Sequence, residues 1–223
     1  NLSVSSIAAH VVTYTVDGVS ADFSLSVTSA PYVSTRSFSF DGVNDYFDLG
    51  FMPSLDAVQQ FSISAWVNMP NVSGTKRMIG KRFDSVNNIA FNFSNNVLFT
   101  TINGSFGSAN ANFTVNTWFH IIMIFNGTLT GNSNRLKLYI NGVQQTLSFS
   151  GTIPSITYDF SLNPSIFYLG TDGFSTPNYY DGLMDEVSIW DSALSSDAVT
   201  EIAAGPNDLT SLTNASSSNL VAW

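Results

Sequence analysis

Asp41 and Asp45 flank a turn that opens with Asp41-Gly42, and Asn44 lies between them. Carboxylates, amide oxygens and turn carbonyls are the hard oxygen donors of which calcium takes about six to eight. The same residue types also close turns through their own backbone, so ordinary turn chemistry accounts for them equally well at this level. The other acidic feature is Asp185-Glu186. Glycoside hydrolysis needs two carboxylates on either side of one sugar bond. Consecutive strand residues point to opposite faces, and Val187, Ser188 and Ile189 put no second acid two or four positions after Asp185. The hydrolytic pair is therefore missing, and a glycoside hydrolase is the weakest of the functional readings.

Other catalytic chemistry has little to work with. His10 and His120 are the only histidines, and His120 stands in Trp118-Phe-His at the head of an apolar run, a core position. With no cysteine, there is neither a thiolate metal site nor a disulfide framework. Sugar binding uses aromatic platforms, for which Trp118, Tyr158, Tyr168, Phe174, Tyr179 and Tyr180 are the candidates. The last three sit in a Gly/Ser/Thr/Pro/Asn segment, where rings are expected to be exposed. Lys76, Arg77, Lys81 and Arg82 form the one cationic cluster, which reads as a solvated hairpin or as a contact for an acidic neighbouring subunit or an anionic glycan.

Composition narrows the partners. The net charge is −9 with seven Lys plus Arg among 223 residues, too few cations to neutralise a phosphate backbone, so nucleic acid is excluded. No apolar run reaches the roughly 18 residues of a membrane helix, so membrane insertion is not expected. Beginning at Asn1 without Met, the chain reads as a piece of a longer polypeptide.

The elements that must position these residues are strands. Apolar and polar residues alternate in stretches 10–16 and 23–27 around Asp17-Gly18, predicting an N-terminal hairpin arm or the end of a preceding Ig-like domain over residues 1–33. Short strands are then predicted over 37–40, 46–49, 61–67, 78–81, 89–93, 97–102, 118–125, 136–140, 143–149, 167–170 and 183–190. Turn residues separate them, and Asn141-Gly142 is a strong hairpin signal. One helix is predicted over 197–204, opened by Ser195-Ser196 and stopped by Gly205-Pro206. Residues 206–223 read as a linker leading to a further segment, with Leu220–Trp223 as the start of another strand. The fold class is all-β, a two-sheet antiparallel β-sandwich over residues 34–205.

Five segments in order resemble the laminin-G-like group of concanavalin A-like lectin/glucanase domains. They are residues 37–50 (SFSFDGVNDYFDLG), 61–67 (FSISAWV), Trp118-Phe-His120, 136–142 (LKLYING) and 181–190 (DGLMDEVSIW) followed by Ala193-Leu194-Ser195. The resemblance implies a jelly roll of two face-to-face sheets in which the first and last strands pair. Residues 37–41 would then lie beside 183–190, with Phe38 and Phe40 facing Val187 and Ile189. This would carry Asp185 to Asp41, Asn44 and Asp45, making a structural calcium site with Asp181 and Glu186 as weaker members. The wording of residues 134–139, and of 206–209 followed by 220–223, is also similar to structural proteins of tailed, marine bacteriophages. That similarity implies a place on a virion or cell surface. The leading expectation is a non-enzymatic carbohydrate-binding or adhesive module. The alternative is an architectural subunit that forms homo-oligomers or assembles with neighbouring subunits through strand contacts.

Overall fold

A computed structural model describes residues 10–16, 19–25, 37–173, 178–205, 209 and 212–222, the first two stretches by backbone alone. The chain divides into two units, Asn1–Val33 and Ser34–Trp223. In the first, strands β1 (His10–Val16) and β2 (Val19–Leu25) pair antiparallel from His10↔Leu25 to Val16↔Val19.

The second unit is the expected sandwich. Its strands are β3 (Phe38–Asp41), β4 (Phe47–Asp48), β5 (Gln60–Asn68), β6 (Thr75–Arg82), β7 (Asn88–Ser94), β8 (Val97–Ile102), β9 (Ser105–Asn110), β10 (Trp118–Asn126), β11 (Leu136–Ile140), β12 (Val143–Gln144), β13 (Ser148–Ser150), β14 (Phe167–Leu169), β15 (Asp181–Trp190) and β16 (Leu220–Ala222). The first sheet runs β12-β11-β10-β5-β15, and β3 and β16 both pair with the far edge of β15. The second sheet runs β13-β9-β8-β7-β6-β14-β4. Alternation explains the layers. Ile63, Ala65, Val67, Ile121, Met123 and Phe125 point inward from the first sheet; Ile89, Phe91, Phe93, Leu98 and Phe167 meet them from the second.

The outer face of the first sheet is covered as well. Helix α1 (Asn132–Arg135) is one turn before β11, whereas α2 (Ser196–Ala203) lies on that outer face. The Ser195 hydroxyl caps α2 by accepting from the Ala198 N–H at 3.1 Å. Ala198, Val199 and Ile202 then pack against Ile122, Ile124, Tyr139 and Trp190. This explains why residues 118–125 are apolar without alternation: both faces of β10 are buried.

Several expectations change. The run 143–149 is not one strand: β12 belongs to the first sheet and β13 to the second, so the chain crosses between layers there. Strand β9 was not predicted. Its inward residues Gly107 and Ala109 are small because Leu147 and Phe149 fill the space, and a Cβ on Gly107 would stand 2.8 Å from Leu147 Cδ1. Of the described residues after α2, Leu209 is buried against α2, and the strand expected from Leu220 is β16, which joins the first sheet.

The same segment is tied to α2 by Glu201. Its carboxylate accepts from the N–H and hydroxyl of Thr213 and from the N–H and side-chain amide of Asn214, at 2.8–3.0 Å. Desolvation opposes ionisation, but these donors outweigh it and lower the Glu201 pKa. A depressed carboxylate pKa contributes stability above the ordinary carboxylate range, and that stability is lost as pH falls through the folded-state value. Hydrogen exchange over residues 212–222 should therefore quicken in acid before the sandwich core responds, and Glu201→Gln should reproduce that quickening at neutral pH. Unchanged protection in the variant would refute the tether.

Candidate functional site

The first and last strands of the sandwich do pair, but in a different register. Asp41 lies opposite Asp181, Phe40 opposite Gly182 and Phe38 opposite Met184. The partners of Phe38 and Phe40 are thus Met184 and Gly182, not Val187 and Ile189. Asp185 pairs on the other side with Trp66, four residues along β15 from Asp181, or roughly 13 Å at the strand rise.

The acidic turn itself is closed by its own backbone. Asp41 Oδ1 accepts the N–H groups of Val43 (2.8 Å) and Asn44 (3.3 Å), and Asp45 Oδ2 accepts the Asp41 N–H at 3.0 Å. The Val43 N–H leads the donors that lower the Asp41 pKa against desolvation. Asp185 Oδ1 accepts the Glu186 N–H at 2.9 Å. Asp181, the acid that does face Asp41, has its Oδ2 3.4 Å from Lys76 Nζ. Asp41, Asn44, Asp45 and Asp185 therefore do not converge as one ligand set. Among the described residues, no group of three or more acidic or histidine side chains surrounds a common point. The set does not fit a calcium ion.

The Asp185-Glu186 pair sits on a β-bulge. Register passes from Asp185↔Trp66 to Ser188↔Ser64, so Glu186 and Val187 together oppose Ala65. Val187 packs on the core and Glu186 takes φ +48°, the left-handed region. Simple alternation from Asp185 thus fails at this pair. His120 is a core residue, as expected. It is buried, its Nε2 is 2.7 Å from Ser64 Oγ, and burial lowers its pKa to about 3, so the ring is neutral at physiological pH.

The predicted ring platforms separate. Trp118 is half-buried on the outer face of the first sheet, opposite Asn68. Phe174 lies outside the described residues. Tyr180 is a correction: its ring is buried, and its hydroxyl donates to the carbonyls of Asn68 (3.2 Å) and Leu183 (3.0 Å), with burial raising its pKa. Tyr179 is half-buried beside β6, in a parallel bridge with Arg77, and stacks on Tyr46 with ring centres 6.5 Å apart.

Tyr179 leads to the outer face of the second sheet, where Asp172, which sequence reasoning missed, gathers two residues of the cationic cluster beside Tyr168. One row of outward positions crosses the sheet as Tyr168, Gly80, Ala90, Thr101 and Phe106. The next row is Arg77, Asn92, Phe99 and Ser108. Over the small floor of Gly80 and Ala90 stands Asp172, whose side chain is fully buried. A Cβ on Gly80 would lie 2.9 Å from the Ile89 carbonyl and 3.1 Å from Asp172 Cβ, so only glycine leaves the carboxylate its place. Asp172 Oδ2 accepts from Arg77 Nη1 and, at 3.2 Å, from Arg82 Nη1. Two planar guanidinium groups are thereby fixed on one carboxylate.

Aromatic rings flank this cluster. Tyr46 stands edge-on to Tyr168 at 5.6 Å, and Phe99 meets Phe106 edge-on at 5.6 Å. Tyr168, Tyr179, Phe99 and Phe106 are all half-buried, each leaving part of a ring to solvent. The face thus offers fixed planar donors between apolar ring surfaces. That combination suits a ligand with both hydroxyls and C–H faces.

The comparisons agree with this architecture. The family model for Laminin_G_3, described as the concanavalin A-like lectin/glucanases superfamily, matches residues 41–200. No curated protein matches the chain. Among solved structures, a heptameric SAP-like pentraxin from Limulus polyphemus is similar at 19% identity and a TM-score of 0.54, covering 74% of this chain and 80% of that one. Domain 4 of the extracellular arabinanase AbnA from Geobacillus stearothermophilus, in complex with arabinotriose, aligns at 21% identity and a TM-score of 0.54, covering 75% and 76%. The sialidase CBM40 of Ruminococcus gnavus, bound to α2,3-sialyllactose, aligns at 10% identity and a TM-score of 0.54, covering 76% and 97%. At these identities the structural likenesses establish the fold. The family match covers most of the sandwich, and the chain belongs to the concanavalin A-like lectin/glucanases superfamily.

Proposed function

We propose that the sandwich is a non-catalytic carbohydrate-binding module acting outside the cell, on a cell or virion surface, and that its ligand lies on the outer face of the second sheet. The carrying observation is the Arg77–Asp172–Arg82 cluster between half-exposed aromatic rings. Guanidinium N–H groups donate to sugar hydroxyls, and rings accept the C–H faces of pyranose or furanose units. Pentraxin, arabinanase and CBM40 domains of the same fold support the reading, two of them in complexes with oligosaccharides.

A glycan array followed by titration calorimetry, with and without calcium, tests this. Binding should fall at least about tenfold in Arg77→Ala while the fold persists, since charge-assisted hydrogen bonds are worth about 1.5–3 kcal/mol. No glycan binding under either condition would refute the reading.

A second reading, a subunit that assembles through strands, is favoured by a different observation. Phe38, Tyr46, Phe47, Leu49 and Phe51 are all exposed along one short segment at the sheet edge. Light scattering on the same sample separates the two: a stable oligomer that binds no glycan supports assembly.

A further inference from the structure

Lys81 points from β6 into the sandwich, in register with Phe167 and Ile89, and is fully buried. Its Nζ donates to Asp56 Oδ1 at 2.7 Å and to the Met52 carbonyl at 3.3 Å. The Phe51 and Phe160 rings stand 4.1 and 4.7 Å from the same nitrogen. The Asp56 side chain is 7% exposed, and its Oδ2 is buried without a hydrogen-bond partner. A buried ion pair is well held when every remaining lone pair is satisfied. Here one carboxylate oxygen is bare, so the ion pair sits in the interior incompletely satisfied. Burial lowers the Lys81 pKa, while the Asp56 carboxylate opposes that shift. Transfer of one proton from the ammonium to the carboxylate gives a free amine, a nucleophile, already held against a carboxyl group at 2.7 Å.

We propose that Lys81 and Asp56 condense to an intramolecular isopeptide bond that joins β6 to the turn after Pro53–Leu55. Nζ bonds to Cγ of Asp56, and one Cγ–O bond of the carboxylic acid breaks. The departing hydroxyl takes one proton from Nζ and leaves as water. No oxidant, cofactor or second chain enters the balance. The amide nitrogen keeps one hydrogen, for which the Met52 carbonyl is the acceptor at hand. Both buried charges disappear, and residues 56–81 become a closed loop, which restricts the unfolded chain. This proposal stands apart from the glycan reading, because Lys81 and Asp56 lie in the interior.

Mass spectrometry of the whole chain decides it, on fresh protein and after prolonged incubation at neutral pH. The expected intact mass is about 18 Da, one water, below the sequence mass. Trypsin should fail to cut after Lys81 and should yield a branched species joining residues 37–76 to residues 78–82. Asp56→Ala and Lys81→Met should each run at their own sequence mass. If either variant does not fold, the native protein's mass and digest suffice. An unchanged intact mass overturns the proposal. So does an 18-Da loss without the branched peptide, which marks a succinimide, as at Asp41-Gly42.

Discussion

Asp172→Ala should abolish ligand binding and destabilise the sandwich by about 3 kcal/mol, the range for removing one partner of a buried charge pair. The side chain of Asp172 is fully buried and carries both Arg77 and Arg82, whose side chains are 14% and 15% exposed. Without the carboxylate, two guanidinium groups of like charge are left close together over Gly80 and Ala90. Replacing either arginine should cost much less, because Asp172 keeps the other. Denaturant unfolding of the three variants gives the ranking. Equal stability of Asp172→Ala and native protein would show that the carboxylate does not organise the face. A variant that loses stability yet keeps full glycan affinity would move the binding site elsewhere.

Gly182→Ala should be comparably severe for a purely steric reason. Gly182 takes φ +143°, and a Cβ there would stand 2.3 Å from the Asn68 carbonyl oxygen and 3.0 Å from the Tyr180 hydroxyl. The Asn68 carbonyl accepts the Tyr180 hydroxyl, so the clash would also disturb that buried bond. Backbone strain and overpacking of about 1–3 kcal/mol each set the expected loss at about 3–4 kcal/mol. Gly74→Ala is the control: φ is +74° but nothing lies within 4 Å of the added carbon, so only the backbone preference of about 1 kcal/mol is lost. Thermal unfolding of the pair separates clash from strain. If both alanines cost the same, the close approach to Asn68 does not constrain the fold.

The sandwich was readable because both sheets follow the alternation that burial imposes. The alternation of Phe61–Val67 and the long apolar run from Trp118 both announce strands, although in the fold both are buried on two faces, with Ser62 and Ser64 on the covered outer side of β5. The site was less readable, and Lys76, Arg77, Lys81 and Arg82 show why. In sequence they are one cationic cluster. In the fold a bulge between Arg77 and Ile79 adds a residue to β6, so Lys76 and Lys81 share one face although an odd number of positions separates them. Lys76 opposes Phe93 and Lys81 opposes Ile89, while Arg77 and Arg82 turn outward to Asp172. No local pattern announces a bulge, and none brings Asp172 across from the loop after β14. Tyr179 and Tyr180 differ for the same kind of reason: a polar loop sequence does not tell which of two adjacent rings reaches solvent. The calcium expectation rested on pairing the first and last strands. The pairing exists, but a shift of four positions leaves Asp185 beyond the reach of Asp41.

That pairing has a mechanical side. Strands β3 and β16 both lie along the same edge of β15, with Phe38 opposite Met184 and Ala222 opposite Ile189. The N-terminal end of β3 thus lies beside Met184 and the C-terminal end of β16 beside Ile189, five positions along β15 or roughly 15 Å apart at the strand rise. Tension drawn between these two points pulls each strand away from its edge one hydrogen bond at a time instead of shearing all of them together. Such an edge yields to a weak steady pull, so a sandwich tethered through residues 37 and 222 would lengthen early under load while its central strands stayed packed.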